Sequence, residues 1–162
     1  MENDRASFQG SKKVGDFEIA GQVARTLMAA PLNVNGRPNS DVVKKSWLST
    51  DFMSRDRDYW IIDFGTSMSE AEASQYEEPF LVVENSVKRK RKNNARKSRS
   101  SKWWIHGDPQ PAMRTEISKA TRYIVTPEVH TLRVFAWADA KILPDCKIMV
   151  IARADEVCFG IL

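Results

Sequence analysis

The strongest apolar pattern in the chain lies at residues 59–64, where aromatic and β-branched residues are flanked by turn-forming ones. Ile61 and Ile62 are adjacent, so the alternation of a strand places one on each face. A strand that is apolar on both faces lies inside a sheet and is covered on both sides. The pattern therefore predicts a central strand that ends at Gly65. Asp63 is then expected either to accept hydrogen bonds from the next turn or to face a site.

Residues 20–30 have the spacing of a helix that buries one side. Val23, Leu27 and Ala30 recur at helical intervals, and Pro31 stops the pattern. The Asn35-Gly36 pair that follows is a strong turn signal, because both residues tolerate positive φ. Polar residues at the tip of such a turn are candidates for contact with an anionic partner, although a plain surface loop fits equally well.

A second helical region follows the central strand. Ser69 and Glu72 form a capping box, in which a hydroxyl and a carboxylate satisfy the first turn of a helix. Pro79 fits the first turn of the next helix, whose buried stripe is Phe80, Val83 and Val87. Beyond Val87 the stripe is replaced by charged residues, which predicts that the helix extends outward. Asn93 and Asn94 are expected to mark its fraying.

The remaining segments predict a single α+β domain, with short strands in a mixed sheet and helices between them. Residues 1–15 are expected to form a polar lead-in arm, and residues 16–162 the domain.

Adjacent Trp103 and Trp104 on a strand would face opposite ways, so that one is less buried. Stacking on a flipped base is conceivable for the less buried tryptophan, but plain packing is favoured. The other predictions are strands at 42–48, 103–105, 122–125 and 133–137, a helix at 112–119, a loop at 51–58, and a closing strand pair at 148–152 and 157–162.

Composition favours an ordinary globular module. The 162 residues are 42% hydrophobic and 28% charged, enough for one domain with a real core. No apolar run is long enough for a membrane span, and the N-terminus lacks a signal peptide, so a cytoplasmic location is expected. No metal site is expected, because His106, His130, Cys146 and Cys158 lack ligand spacing.

The net charge of +4 hides an asymmetry along the chain. Residues 88–102, called here the basic segment, hold nine basic residues and no acidic one. The other 147 residues carry 16 basic and 21 acidic side chains, a net charge of −5. A cluster of this kind is typical of a polyanion contact. A solvated charge run and a nuclear-localisation tract are the rival interpretations.

Several motifs together resemble one family. They include Asn35-Gly36-Arg37-Pro38-Asn39 and, at residues 60–65, Trp-Ile-Ile-Asp-Phe-Gly. The chain resembles the target-recognition region of large amino-methylating DNA methyltransferases, among them single-chain restriction–modification enzymes. The matching stretches follow the order of the family and span most of the chain: residues 7–13, 35–43, 60–65, 76–80, 103–104, 111–114, 122–127, 143–145 and 159–160.

The resemblance implies a role in holding double-stranded DNA for a methyltransferase catalytic domain of the same parent polypeptide. S-adenosylmethionine would be the cofactor of that parent enzyme, with none in this chain. It also implies that the recognition region continues past Leu162, so the chain is expected to be a fragment.

Candidate DNA-binding residues come from the basic segment and from the polar turn. Phosphate contacts would set the register and base-edge contacts the specificity. Where family members tend to be basic, this chain has Asp108, Gln110 and Glu128, which either read a different base or mark a lost contact. The candidates are Lys88, Arg89, Lys90, Arg91, Lys92, Arg96, Lys97, Arg99 and Lys102, with Arg37, Asn39, Lys44 and Arg114 as secondary ones.

Catalytic motifs are not legible in the sequence. A base-amine methylase calls for a glycine-rich cofactor loop and an Asn/Asp-Pro-Pro-aromatic motif, and neither occurs. The stretch Pro144-Asp145-Cys146-Lys147 superficially resembles a nuclease motif, but its two halves overlap instead of lying on separate strands. The chain is therefore expected not to be an enzyme by itself. The alternative to a DNA-binding module is a structural or protein-interaction remnant that does not bind DNA.

Overall fold

The computed structural model describes residues 6–92 and 94–162. Residues 1–5 of the predicted lead-in arm, and Asn93, lie outside the described residues. Two short turns supplement the regular elements, a 3-10 turn at Asn39–Asp41 and a π-helical turn at Glu84–Lys88. In chain order the elements are β1 Ser7–Gln9, β2 Glu18–Ala20, α1 Gly21–Ala29, β3 Val43–Trp47, α2 Ser49–Met53, β4 Tyr59–Ile62, α3 Glu70–Ser74, α4 Glu77–Val83, α5 Arg89–Arg91, α6 Lys97–Ser101, α7 Pro111–Ile117, β5 Arg122–Pro127, β6 Ala136–Asp139, β7 Leu143–Pro144, β8 Ile148–Ile151 and α8 Glu156–Ile161.

The predicted α+β class, with short strands and helices between them, is confirmed. The described residues group into two compact units, each made of segments distant in sequence. Unit 1 contains residues 6–12, 46–57 and 110–162, and unit 2 contains residues 13–45 and 58–109 except Asn93. Within residues 6–92 and 94–162, no helix combines the length and apolarity that crossing a membrane requires.

Unit 1 is built on an antiparallel sheet with the strand order β1-β8-β5-β6. The two inner strands carry its core, because Ile124, Val125, Ile148 and Val150 are fully buried. The end of β3 pairs in parallel with β7 in the same unit. Short β1 occupies an edge, where the sequence had predicted only a loop.

Unit 2 contains the predicted central strand. β4 lies between β2 and β3 and pairs antiparallel with both. Ile61 and Ile62 are both buried, as expected of a strand that is apolar on both faces. Asp63 is also buried and accepts a hydrogen bond from the Gly65 amide at 3.2 Å, the first of the two roles expected of it.

The helical region after β4 follows the predicted caps. Ser69 Oγ accepts from the Glu72 amide at 3.2 Å, while Glu72 Oε2 accepts from the Ser69 amide at 2.8 Å. This capping box begins α3. The helix after Pro79 then runs through α4, the π-helical turn and α5, with Val83 and Val87 buried.

Three predicted elements are wrong. Residues 157–161 of the strand predicted at 157–162 lie in helix α8, because Asp155 caps that helix by accepting from the Cys158 amide at 2.8 Å. Trp103 and Trp104 lie in a turn after α6 and both are buried, so neither is the less buried partner expected. Part of the predicted loop at 51–58 belongs to helix α2.

Smaller shifts affect two other elements. In α1 the buried positions are Gly21, Ala24 and Leu27, whereas Val23 is 43% exposed. The predicted stripe was Val23, Leu27 and Ala30, so Leu27 is the position that the predicted and the observed buried sides of this helix share. Strand β6 begins at Ala136, later than the predicted start at residue 133.

Candidate nucleic-acid interface

The exposed cations of the basic segment lie in unit 2, on α5, on α6 and in the residues next to them. Seven of the nine basic residues are exposed: Lys88 and Lys90, which are described below, and the five residues Arg89, Lys92, Arg96, Lys97 and Lys102. Among the residues that the structure describes, none of the five has a carboxylate within ion-pair distance. Their charges are therefore available to an external anion.

Lys88 and Lys90 are exposed but are already paired with carboxylates. Lys88 Nζ lies 2.7 Å from Glu84 Oε1 and 4.7 Å from the centre of the Trp103 ring. The hydrogen bond to Glu84 raises the pKa of Lys88. Lys90 pairs with Asp16. Exposed ion pairs of this kind contribute little, so either lysine can exchange its carboxylate for a phosphate at small cost.

Arg91 is only 2% exposed, so its guanidinium does not face an external partner. Its donors lie 2.6–3.4 Å from five backbone carbonyl oxygens, and the guanidinium lies 5.0 Å from the Phe17 ring centre. Burial and the nearby charge of Arg99 lower the pKa of Arg91 to about 10, so it remains a cation at neutral pH. This placement differs from the phosphate contact expected of Arg91. The five acceptors are the carbonyls of Lys13, Val14, Lys102, Trp103 and Ile105.

A sequence signal for the burial of Arg91 was present. Val83, Val87 and Arg91 are spaced by four residues, so the core-facing stripe of the helix continues into the basic segment. Arg99, which is half-buried, lies close enough to affect Arg91 electrostatically. The basic segment thus contains one structural arginine among its surface cations.

A groove of about 670 Å³ runs along the helical part of the basic segment. Asn85, Lys88, Arg89 and Lys92 line one side of it, and these positions fall on a common helical face. Trp103 contributes to its wall, and the Trp103 indole donates to Glu70 Oε1 at 3.1 Å. The groove therefore presents cations beside an aromatic surface.

The secondary candidates of the polar turn separate into different roles. Arg37 is exposed and pairs with Asp41, Nε to Oδ2, at 2.5 Å; this hydrogen bond raises the pKa of Arg37. Asn39 is 2% exposed and donates to the Leu27 carbonyl at 2.9 Å, so it holds the turn from inside and is not at its tip. Lys44 is half-buried and donates to the Ser40 carbonyl at 3.0 Å.

Arg114 belongs to α7 of unit 1 and is half-buried. Glu128, also in unit 1, pairs with Lys147 at 3.0 Å and accepts a hydrogen bond from the side-chain amide of Gln9 at 2.9 Å. Gln110 precedes α7 with a left-handed backbone, and Asp108 is an exposed residue of unit 2. These positions are thus divided between the two units.

A second concavity of unit 2, of about 570 Å³, lies beside the polar turn and is called here the Arg37 pocket. Phe64 and Tyr76 are buried aromatic residues of its lining. Burial raises the pKa of the Tyr76 hydroxyl, which lies 3.4 Å from Asp41 Oδ2. Besides Asn35 of the same turn, the pocket involves polar residues that sequence reasoning did not connect with Arg37: Thr66, Ser67, Glu72 and Gln75.

Histidine and cysteine do not form a metal centre in the described part of the chain, where no group of three or more metal-ligating side chains occurs. His106 is buried, with Nε2 at 3.0 Å from the Ile62 carbonyl and Nδ1 at 3.8 Å from Asp63 Oδ1. Cys146 and Cys158 are half-buried and are not joined in a disulfide bond.

Comparison with known proteins reveals a structural likeness at low sequence identity. No protein-family model and no curated protein matches the chain. The fold is similar to part of the solved structure of the type IIL restriction–modification enzyme MmeI in complex with DNA, with a TM-score of 0.70 and 14% identity. The match covers 97% of this chain and 20% of the MmeI chain, so this chain spans about one fifth of that length. At this identity the likeness shows a shared fold.

Proposed function

We propose that this chain is the DNA-binding, target-recognition part of a DNA methyltransferase or restriction–modification enzyme. The observation that carries the proposal is the set of five exposed cations in unit 2 without carboxylate partners among the described residues. On a scaffold that is otherwise net negative, such a cluster favours the backbone of a polyanion. Phosphate contacts from the basic segment would hold the duplex in register.

The shared fold supports this assignment. The MmeI structure that resembles this chain was solved in complex with DNA, and the motif resemblance led independently to the same class of enzyme. The chemistry is assigned to a methyltransferase domain elsewhere in the parent polypeptide, with S-adenosylmethionine as its cofactor. In this proposal the chain itself is not an enzyme, and it acts in the cytoplasm, where the DNA substrate lies.

A protein-interaction role is the second candidate, and one observation favours it. On α8 of unit 1, Val157 is 72% exposed and Ile161 is 80% exposed. Exposed apolar side chains on one short helix are suited to a protein contact. Under this alternative the chain would not bind DNA.

The test is a fluorescence anisotropy titration of the full chain with a random-sequence duplex at rising salt. Neutralising five phosphates releases counterions, so affinity on the order of micromolar should fall roughly several hundred-fold between about 50 and 200 mM salt. Absence of binding at low salt would contradict the proposal and favour the protein-interaction role. A salt-independent affinity would also contradict it.

Side-chain substitutions test the DNA contacts more specifically than deletion of the basic segment does, because deletion would also remove the buried Arg91. The double variant Arg96→Ala/Lys97→Ala should weaken binding to all duplexes and lower the salt slope by about two, since each contact contributes about 0.9. Arg133→Ala/Lys141→Ala removes the same charge from exposed positions of unit 1 and serves as the control. Equal effects of the two double variants would show that net charge, and not the basic segment, drives binding.

A further inference from the structure

The polar turn of unit 2 is held in one shape by its own hydrogen bonds. The Asn33 amide donates to the Arg37 carbonyl at 3.0 Å, and the Gly36 amide donates to the Asn33 carbonyl at 2.8 Å. Gly36 has φ of 72°, a conformation that glycine adopts without strain. The Asn33 side chain donates to Asn39 Oδ1 at 2.8 Å, and Asn39 is buried. Arg37 is thus presented from a pre-organised turn.

The Arg37 pocket combines an aromatic interior with amide and guanidinium groups. Phe64 is 1% exposed and Tyr76 is 2% exposed, so the apolar part is rigid and packed. Asn35, Arg37 and Gln75 supply polar side chains that line the same space. A pocket of 300–1,000 Å³ with a few convergent polar groups is suited to a small planar ligand group.

The charges around the pocket favour a base over a phosphate. Two carboxylates lie beside the one guanidinium: Asp41 pairs with Arg37, and Glu72 lies in the lining. The net charge of these three groups is negative, so the pocket does not favour an anion. A base edge has both donors and acceptors, and it suits these groups: asparagine and glutamine pair with adenine, and arginine pairs with guanine.

Hydrogen bonds connect this pocket with the basic segment inside unit 2. The Trp104 indole donates to the carbonyl of Met68, a pocket residue, at 2.9 Å. The Trp103 indole donates to Glu70 at 3.1 Å, and Lys88 Nζ lies 4.0 Å from the same carboxylate. Lys88 of the basic segment and the two tryptophans that follow the segment therefore contact residues 68–70, of which Met68 lines the pocket.

We propose that the Arg37 pocket receives the edge of a DNA base and makes the chain sequence-selective, with Arg37 and Gln75 as the specificity-determining residues. This inference rests on the proposed function, because it assigns base readout to a chain whose basic segment holds the backbone. Affinity and selectivity then belong to different residues of unit 2.

The experiment is selection from a pool of duplexes with a randomised centre, using the full chain and sequencing the bound fraction. The wild type should enrich a motif. Gln75→Ala and Arg37→Ala should each reduce the preference at one or more positions by roughly tenfold. Arg96→Ala/Lys97→Ala should weaken affinity but enrich the unchanged motif.

Gln22→Ala on α1 and Arg55→Ala are matched controls, because both residues are exposed and neither lines the pocket. Gln75 is exposed, so its substitution keeps the test valid even if Arg37→Ala loosens the turn. An unchanged motif in both pocket variants would overturn the inference, and so would a wild type that binds the pool without preference. The first result leaves the proposed function standing. The second leaves only its DNA-binding part, and no binding to the pool would overturn both the inference and the proposed function.

Discussion

Arg91 donates to five backbone carbonyls, whereas Arg89, two residues earlier, is exposed to solvent. The carbonyls belong to residues 13–14 and 102–105, so Arg91 ties the end of the basic segment to the start of unit 2. A planar guanidinium with five donors suits this task, and a lysine would leave several carbonyls without a donor. One arginine thus supports the surface on which the others are displayed.

The variant Arg91→Met should destabilise the chain by on the order of 3 kcal/mol, because it leaves several buried carbonyls without a partner. Arg89→Met, at an exposed position of the same helical region, should change the free energy of unfolding by less than about 0.5 kcal/mol. Urea unfolding followed by circular dichroism measures both. Similar small losses for the two variants would contradict the structural role of Arg91.

Asp51, in unit 1, contributes to the stability of the fold in a way that depends on pH. Burial alone would raise the pKa of this carboxyl, but hydrogen bonds from the Arg57 side chain and from the Leu48 and Arg57 amides outweigh it, so the pKa is lowered. A carboxyl with a lowered pKa stabilises the fold above its unfolded pKa near 3.9. This stabilisation is lost as the pH falls through the pKa that Asp51 has in the folded protein.

We therefore expect Asp51→Asn to be less stable than the wild type at pH 7, with a difference that shrinks at pH values below about 3.9. Urea unfolding of both proteins at several pH values gives this difference. Glu78→Gln, at an exposed position of α4, is the control. A difference that is the same at pH 7 and pH 3 would show that the charge of Asp51 is unimportant.

At the scale of elements, the helical region from residue 70 to 91 is shaped by its ends and by its buried stripe. The capping box of Ser69 and Glu72 begins α3, and hydrogen bonds from Ser69 lower the pKa of Glu72. The π-helical turn then lies between α4 and α5, and the core positions continue through Val83 and Val87 to Arg91. The opposite face, with Asn85 and Arg89, lines the groove.

Removal of the cap hydroxyl in Ser69→Ala should cost about 1 kcal/mol, because the Glu72 amide and carboxylate both lose a partner. We expect unfolding at a lower urea concentration, with an unchanged dependence of the unfolding free energy on urea. Ser98→Ala, at an exposed position within α6, should change the midpoint little. If both serine variants behave alike, the capping box does not stabilise α3.

At the scale of the whole molecule, charge distinguishes the basic segment, which is proposed to bind DNA, from the rest of the chain, which supports it. The chain has a net charge of +4, and its basic segment supplies nine of the 25 basic residues. Two of the nine are paired on the surface, Arg91 is buried, and Arg99 is half-buried. The other five have no carboxylate partner in the described part of the chain, which makes electrostatic attraction the dominant force in the proposed complex.

Changing the five exposed residues Arg89, Lys92, Arg96, Lys97 and Lys102 to glutamine lowers the net charge from +4 by five, to −1. We expect this variant to keep its circular dichroism spectrum and to lose measurable binding to a random duplex at about 150 mM salt. Retention of most of the affinity would mean that DNA is held by another surface. The loss of folded signal would instead show that these cations support the fold.

Local sequence signals predicted a large part of the fold and less of the candidate site. The strand at 59–62, the helix at 21–29 and the capping box are confirmed, because each depends on neighbouring residues. Residues 157–162 were wrongly assigned to a strand, since an apolar run does not distinguish a strand from a short helix. The cap by Asp155 decided that segment.

By itself, the sequence determined the charge asymmetry, the turn at Asn35-Gly36 and the central strand, which are properties of composition or of adjacent residues. Only the tertiary structure decided which cations face solvent, because the burial of Arg91 depends on carbonyls about 11 to 78 positions away. It also decided that Asn39 is an internal anchor, and that residues 35–37 meet residues 64–76 in one pocket. Contacts between distant segments follow from packing, which no local pattern encodes.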